Sequence, residues 1–126
     1  MKPRVLVCGV EIAQDQTLRK LLQERAELIT VQKTEEFEAA SRSNRLDLVL
    51  FEFSDVWQGD MERLHALKIS RPHLLVVVVD GGAGREAVID SFRRGAADYF
   101  KKPYDPFLLA ERVEALLQRK WAIKHD

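Results

Sequence analysis

Continuous apolar runs alternate along the chain with segments in which apolar residues recur every three or four positions. The continuous runs predict strands buried on both faces, and the wider spacing predicts helices with one buried face. The order is strand then helix, five times over. The predicted strands cover residues 5–8, 28–31, 46–51, 74–79 and 97–100.

This alternation predicts an α/β fold, a flavodoxin-like (βα)5 doubly wound parallel sheet with strand order 2-1-3-4-5. In such a sheet the functional site lies at the carboxyl ends of the strands, near the switch point between strands 1 and 3. The residues that directly follow the strands are therefore the candidates. They are Gly9, Val10 and Glu11 after the first strand, Glu52 after the third, Asp80 after the fourth and Lys102 after the fifth.

Helix-start signals mark the ends of several loops. Asp15 and Asp105 are typical N-cap residues, and Pro106 suits the first position of the last helix. The sequence contains neither a linker-like internal stretch nor a repeat. We assign residues 1–120 to one domain and residues 121–126 to a C-terminal tail or the start of a linker.

Composition and charge narrow the class of protein. The 126 residues are 46% hydrophobic and carry 20 basic and 20 acidic side chains. This balance argues against binding to nucleic acid or to an anionic membrane that is driven by the net charge of the chain. One cysteine and three scattered histidines exclude a disulfide framework and a cysteine-rich zinc site. No apolar run approaches the length of a membrane span, so we predict a cytoplasmic protein without membrane contact.

Two stretches at strand ends resemble a known family. Residues 95–105 read GAADYFKKPYD, which is similar to the signature G-A-D-D-Y-L-x-K-P-F-D. Residues 47–52 read DLVLFE, which is similar to D-L-V-L-L-D. Both patterns belong to the receiver domain of bacterial two-component response regulators, which the chain resembles over nearly its whole length. The resemblance implies a role in phosphorelay signal transduction.

The family's metal ligands and phosphoacceptor fall on altered positions. A working receiver carries an acidic pair after strand 1 and an acceptor aspartate after strand 3, which together hold Mg²⁺. Here the acidic pair falls on Gly9 and Val10, and the acceptor falls on Glu52. Mg²⁺ prefers several oxygen ligands, which glycine and valine side chains do not offer. We predict that Mg²⁺ binding is lost or weak and that the chain holds no cofactor and no metal.

The switch positions of the family are only partly retained. Lys102 and Pro103 match, and Tyr99 stands where the switch aromatic lies, but Asp80 replaces the family's Ser or Thr. A carboxylate at that point would repel an incoming phosphoryl oxygen by several kcal/mol at about 4 Å. We expect Glu52, Lys102 and Asp80 to form a carboxylate–ammonium–carboxylate cluster. It serves either as a structural salt bridge or as a partial mimic of the phosphorylated state.

The resemblance and these departures together favour an atypical receiver, or pseudo-receiver, that is not an enzyme and has no catalytic residue. It would act by binding a protein partner or a second copy through the fourth helix, fifth strand and fifth helix of the predicted arrangement. Direct nucleic-acid binding by this chain is not expected. Two alternatives stay open: a competent receiver phosphorylated on Glu52 or Asp55, and a small-ligand sensor that uses the strand-end crevice.

Overall fold

The five apolar runs form one parallel sheet in the computed structural model, which describes residues 2–43 and 45–125. The strand order is β2-β1-β3-β4-β5, with every neighbouring pair parallel. The predicted fold class and strand order are confirmed. The strands are β1 (Arg4–Cys8), β2 (Glu27–Val31), β3 (Leu48–Glu52), β4 (Leu75–Asp80) and β5 (Asp98–Lys101).

Helices cover both faces of this sheet, and apolar residues on alternate strand positions pack against them. One face, which includes Val5, Val7 and Leu50, packs against α1, α2 and α6. The other, which includes Leu6 and Phe51, packs against α3, α4 and α5. The helices are α1 (Val10–Gln14), α2 (Gln16–Gln23), α3 (Thr34–Ser43), α4 (Trp57–Ser70), α5 (Arg85–Arg93) and α6 (Pro106–His125).

The segment after β1 differs from the single helix that we predicted. A short helix, α1, precedes Asp15, and α2 follows it. Asp15 ends the first helix in an extended conformation and caps the second, because its Oδ1 accepts a hydrogen bond from the Leu18 backbone at 3.0 Å. The predicted N-cap is therefore correct, but the helix that comes before it was missed.

The last helix begins as predicted and runs further than the assigned domain. Pro106 occupies its first position, and Asp105 Oδ1 accepts a hydrogen bond from the Phe107 backbone at 2.9 Å. The helix continues through residue 125, while Asp126 lies outside the described residues. The division at residue 120 stays a prediction, since a helix can itself lead into a linker. Within residues 2–43 and 45–125, no helix is both long and apolar enough to cross a membrane.

Candidate functional site

The Lys102 ammonium lies at the centre of the site formed by the strand ends. It contacts Glu52 Oε2 at 2.5 Å and Glu11 Oε2 at 2.8 Å. The Glu52 side chain is 7% exposed and the Lys102 side chain 21%, whereas Glu11 is 74% exposed. The structure thus joins the end of β3, the start of α1 and the segment after β5 through one cation.

Glu52 is fully engaged in this network. Its Oε1 accepts a hydrogen bond from the Glu11 backbone at 3.0 Å, while its Oε2 pairs with Lys102. A nearly buried carboxylate needs such partners on both oxygens, because an unpaired buried charge is costly. Glu52 is therefore the buried carboxylate partner of Lys102, and Glu11, one of the candidates predicted after the first strand, is the exposed one.

The two glutamates hold the lysine in its charged form. Burial acts to lower the pKa of Lys102, but the hydrogen bonds and charges of Glu11 and Glu52 outweigh it and leave that pKa above its ordinary value of 10.5. The cluster carries two carboxylates against one ammonium. The charge of Lys102 is therefore already compensated, and an anion approaching it would meet a cluster with a net negative charge.

Asp80 does not join the cluster, which corrects the expected Glu52–Lys102–Asp80 arrangement. Its Oδ2 accepts hydrogen bonds from the Tyr99 hydroxyl and, at 2.7 Å, from the Ala83 backbone. No ion pair joins Asp80 to Lys102 in the part of the chain that the structure describes.

The reason for this arrangement is strand alternation. Asp80 pairs with Lys101 in the sheet, so its side chain shares a face with Lys101 and Tyr99, while Lys102 points to the opposite face. Burial, together with the hydrogen bond and the charge of Asp80, raises the pKa of Tyr99. The Tyr99 ring is thus held inward by a buried carboxylate.

Gly9 makes room for Glu52. It has φ +146°, a backbone conformation that residues with a side chain rarely adopt. A Cβ built on Gly9 would overlap the Glu52 side chain. The neighbouring Val10 is 54% exposed and begins α1. The two acidic-pair positions of the receiver family are therefore filled here by a residue that needs to lack a side chain and by an exposed apolar residue.

A pocket of about 320 Å³ opens beside this network, between β1, β3 and α4. A buried carboxylate that the sequence analysis missed, Asp60, shapes its wall. Asp60 Oδ2 accepts hydrogen bonds from Ser54 N at 2.7 Å and Ser54 Oγ at 2.8 Å, and Oδ1 pairs with Arg63 at 3.2 Å. Asp55 lies on the exposed rim. In the described part of the chain, no three His, Cys, Asp or Glu side chains are placed to share a metal.

The segment after Lys102 is anchored to the first helix pair. The Lys102–Pro103 peptide bond is cis. The Tyr104 hydroxyl donates to Asp15 Oδ2 at 2.7 Å, and burial together with Asp15 raises the pKa of Tyr104. Sequence reasoning identified Asp15 as a cap but missed this second contact, because nothing in local spacing pairs residues so far apart.

Cys8 lies in the pocket wall at the end of β1 and is an unreactive thiol. It is 7% exposed, and burial, followed by the charges of Asp60 and Glu52, raises its pKa to about 12. A thiolate is the reactive form, so this environment suppresses nucleophilic chemistry at Cys8.

We expect both tyrosines to ionise only in strongly alkaline solution. Tyr99 and Tyr104 are the only tyrosines in the chain, and both have raised pKa values when folded. Their stabilisation is therefore complete below the unfolded pKa of about 10 and is lost as the pH rises from there towards the folded pKa. Absorbance of phenolate should appear well above pH 10 in the native protein and near pH 10 in urea.

Variants that keep only one of the two tyrosines show which tyrosine gives which ionisation midpoint. In a Tyr104→Phe background, Asp80→Asn should lower the ionisation midpoint of Tyr99, because it removes the charge beside the hydroxyl. A native midpoint near the ordinary tyrosine value in Tyr104→Phe would mean that the hydrogen bond between Tyr99 and Asp80 is not kept in solution.

Adding a methyl group at Gly9 should destabilise the fold through Glu52. Gly9→Ala is expected to cost about 2–6 kcal/mol in free energy of unfolding, from backbone strain of about 1–3 kcal/mol and overpacking of about 1–3 kcal/mol. Gly84→Ala is the matched control, because Gly84 also has positive φ at a helix start but has nothing near its Cβ position. It should cost only the strain.

Urea unfolding of a double variant isolates the contact. Gly9→Ala/Glu52→Ala should cost less than the sum of the two single variants, because the overlap disappears with the Glu52 side chain. Additive costs would contradict the contact between Gly9 and Glu52.

Comparison with known proteins bears on the fold and on partial sequence similarity. No protein-family model matches the chain. It is 32% identical over 74 residues to the transcriptional regulatory protein FlgR of Helicobacter pylori and 33% identical over 89 residues to the DNA-binding transcriptional regulator NtrC of Proteus hauseri. These matches cover 59% and 68% of this chain but 19% and 17% of the relatives, so the chain spans less than a fifth of their length.

Solved receiver domains share the fold throughout. A CheY-like response regulator receiver domain from Methanospirillum hungatei superposes with a TM-score of 0.85 over 97% of this chain and 98% of that domain, at 24% identity. The response regulator DrrB of Thermotoga maritima, an OmpR/PhoB homologue, gives 0.83 over 95% of this chain and 54% of that chain, at 23% identity. The chain therefore has the response-regulator receiver fold and is similar in sequence to parts of two transcriptional regulators.

Proposed function

We propose that the chain is a degenerate receiver domain that signals by binding a protein, without passing through a phosphorylation cycle. The observation that carries this proposal is the pairing of Lys102 with both Glu52 and Glu11. In a receiver this lysine is the group that binds the transferred phosphoryl oxygens. Here its charge is already satisfied by carboxylates of the same chain.

The residues present do not fit a bound Mg²⁺. The ion prefers oxygen ligands in a nearly octahedral arrangement. Gly9 and Val10 offer no side-chain oxygen, and a side chain at Gly9 would overlap Glu52. A metal held by Glu52 and Glu11 would have to displace the Lys102 ammonium from both. Of the other carboxylates lining this pocket, Asp60 is already held by Ser54 and Arg63, and Asp55 lies on the exposed rim. We therefore derive no chemical step through a metal.

Asp80 opposes phosphotransfer independently of the metal. It is 3% exposed and holds the Tyr99 hydroxyl and the Ala83 backbone amide. The hydroxyl that would bind a phosphoryl oxygen at this position is replaced by an anion whose hydrogen bonds are directed elsewhere. Without a metal ion and a hydroxyl, a phosphoryl transition state on Glu52 would lack most of its electrostatic support.

These contacts favour one fixed conformation of the surface formed by α5, β5 and α6, through which the domain would bind a partner. Glu52 reaches Lys102 as a phosphorylated aspartate would, with about one negative charge where a phosphate has nearly two. The Tyr99 hydroxyl donates a hydrogen bond to Asp80, which holds the ring in its inward orientation. We infer that the domain presents one binding state constitutively, which Glu52 mimics in part.

The proposed binding face consists of α5, β5 and α6. It exposes aromatic and aliphatic side chains on both helices: Phe92 is 46% exposed and Ile89 40% on α5, while Phe107 is 59% and Leu108 58% on α6. Exposed aromatic residues are the usual anchors of protein interfaces. Tyr99 on β5 connects this face to Asp80 behind it. A protein partner or a second copy would cover this surface.

The remaining assignments follow from the same proposal. A domain that neither transfers phosphate nor holds a metal is a binding module and not an enzyme. NtrC is named as a DNA-binding regulator, but the balanced charge of this chain gives no basis for nucleic-acid binding of its own. Residence in the cytoplasm stays a prediction from the sequence.

Incubation with acetyl phosphate and Mg²⁺ should leave the intact mass of the protein unchanged. The positive control restores the four lost groups in one variant, Gly9→Asp/Val10→Asp/Glu52→Asp/Asp80→Thr, checked for folding by circular dichroism. If folded, that variant should gain about 80 Da, the mass of one phosphoryl group. A gain of that size in the wild type that is lost in Glu52→Gln or Asp55→Asn would overturn the proposal in favour of a competent receiver.

Removing the two aromatic anchors should abolish association through the proposed face. We expect the wild-type chain to show concentration-dependent dimerisation in sedimentation velocity, and Phe92→Ala/Phe107→Ala to sediment as a monomer. Ile69→Ala is the control, because Ile69 is 69% exposed on α4, outside this face. A strictly monomeric wild type would exclude the second copy as partner, and dissociation by Ile69→Ala alone would place the interface elsewhere.

A further inference from the structure

A second and larger pocket lies at the opposite end of the sheet from Lys102. It encloses about 680 Å³ between the starts of β3 and β4 and the C-terminal half of α6. Leu46, Leu75 and Leu116 form its apolar lining. Small-molecule sites in proteins have volumes of roughly 300–1,000 Å³, with mostly apolar walls and a few placed polar groups. The proposed receiver function uses no residue of this pocket.

The acidic group of the pocket is occupied internally. Asp47 is 3% exposed, and its Oδ2 accepts hydrogen bonds from the Arg4 backbone at 2.8 Å and from Arg45 Nη1 at 3.0 Å. Lys120 Nζ donates to the Asp47 carbonyl at 3.0 Å and lies 3.8 Å from its Oδ1. Asp47 therefore links the start of β3 to the C-terminal half of α6, and its negative charge is compensated by Arg45 and Lys120.

The rim of the pocket carries uncommitted donors. Arg119 and His73 line the pocket and are exposed, and their side chains make neither an ion pair nor a hydrogen bond within the described part of the chain. Counting Arg45, Lys120 and Arg119 against Asp47, the lining has a net charge of +2 with His73 neutral. A cationic rim above a leucine-lined cavity is complementary to a molecule with an apolar body and one anionic end.

We propose that this pocket binds a small organic anion, an aromatic or branched carboxylate whose ring or alkyl group packs on Leu46, Leu75 and Leu116. Its carboxylate would accept charge-assisted hydrogen bonds from Arg119 and His73 at the rim. The pocket is a groove bordered by helix and strand ends and open to solvent on one side, which suits a compact ligand whose charged end stays at the rim. Bound there, the ligand would join α6 to the strands behind it and stabilise the folded chain increasingly as the ligand concentration rises above the Kd.

Binding is tested with three probes followed by nitrogen–proton correlation NMR of the full chain. Naphthoate supplies an aromatic body and a carboxylate, naphthalenemethanol supplies the same body without charge, and inorganic phosphate supplies charge without a body. We expect saturable shifts with naphthoate at amides around residues 46–47, 73–75 and 116–120. Loss of a charge-assisted hydrogen bond should weaken naphthalenemethanol binding by about tenfold, and phosphate should not saturate.

Two exposed arginines, one lining the pocket and one on α5 outside it, provide the matched pair of variants. Arg119→Gln should weaken naphthoate binding by about tenfold, as expected for one charged partner. Arg93→Gln, which removes the same charge from α5 outside the pocket, should leave it unchanged. The proposal is wrong if naphthoate does not saturate these amides, if Arg119→Gln binds it as the wild type does, or if phosphate alone produces the same shifts.

Discussion

One partly buried cation determines the character of the strand-end site. The Lys102 side chain is 21% exposed, and Glu52 and Glu11 supply counter-charges to its ammonium at 2.5 and 2.8 Å. Glu52 Oε1 accepts a hydrogen bond from the Glu11 backbone and Glu52 Oε2 is paired with the Lys102 charge, so the lysine has its counter-charges without any ligand. An anion or a divalent metal would have to break contacts that already compensate burial, which is unfavourable for a group of this depth.

The unusual residues around this cation depend on one another. Gly9 has to be glycine because Glu52 occupies the space of its Cβ, and the longer Glu52 reaches the lysine because Gly9 leaves that space open. A further carboxylate, Asp80, can lie buried near this cluster because the Tyr99 hydroxyl and the Ala83 backbone amide donate hydrogen bonds to it on the other face of the sheet. The departures from a working receiver thus form one consistent charge arrangement, which supports our proposal of a single fixed state.

The sequence was sufficient for the fold and for the positions of the site, but not for the pairing within it. Continuous apolar runs predict strands, and parallel strands bring their carboxyl ends together, so Glu52, Asp80 and Lys102 were expected side by side. Strand alternation could have separated Asp80 from Lys102, since the two point to opposite faces, and this signal was overlooked.

Other features had no local signal. The pairing of Glu11 with Lys102 depends on the short helix α1, which periodicity does not reveal in five residues. The contacts of Asp60, Asp47 and Tyr104 join residues whose proximity follows only from the tertiary arrangement. The pocket at the amino ends of the strands likewise arises from three separate segments.

The most direct measurement of the central claim is a crystal structure of the chain grown with Mg²⁺ and beryllofluoride. We expect Glu52 to remain paired with Lys102 and Glu11, with no metal at the ends of β1 and β3 and no beryllofluoride on Glu52. A magnesium ion coordinated by Glu11 and Glu52, with Lys102 turned towards a fluoride on the acceptor, would contradict it.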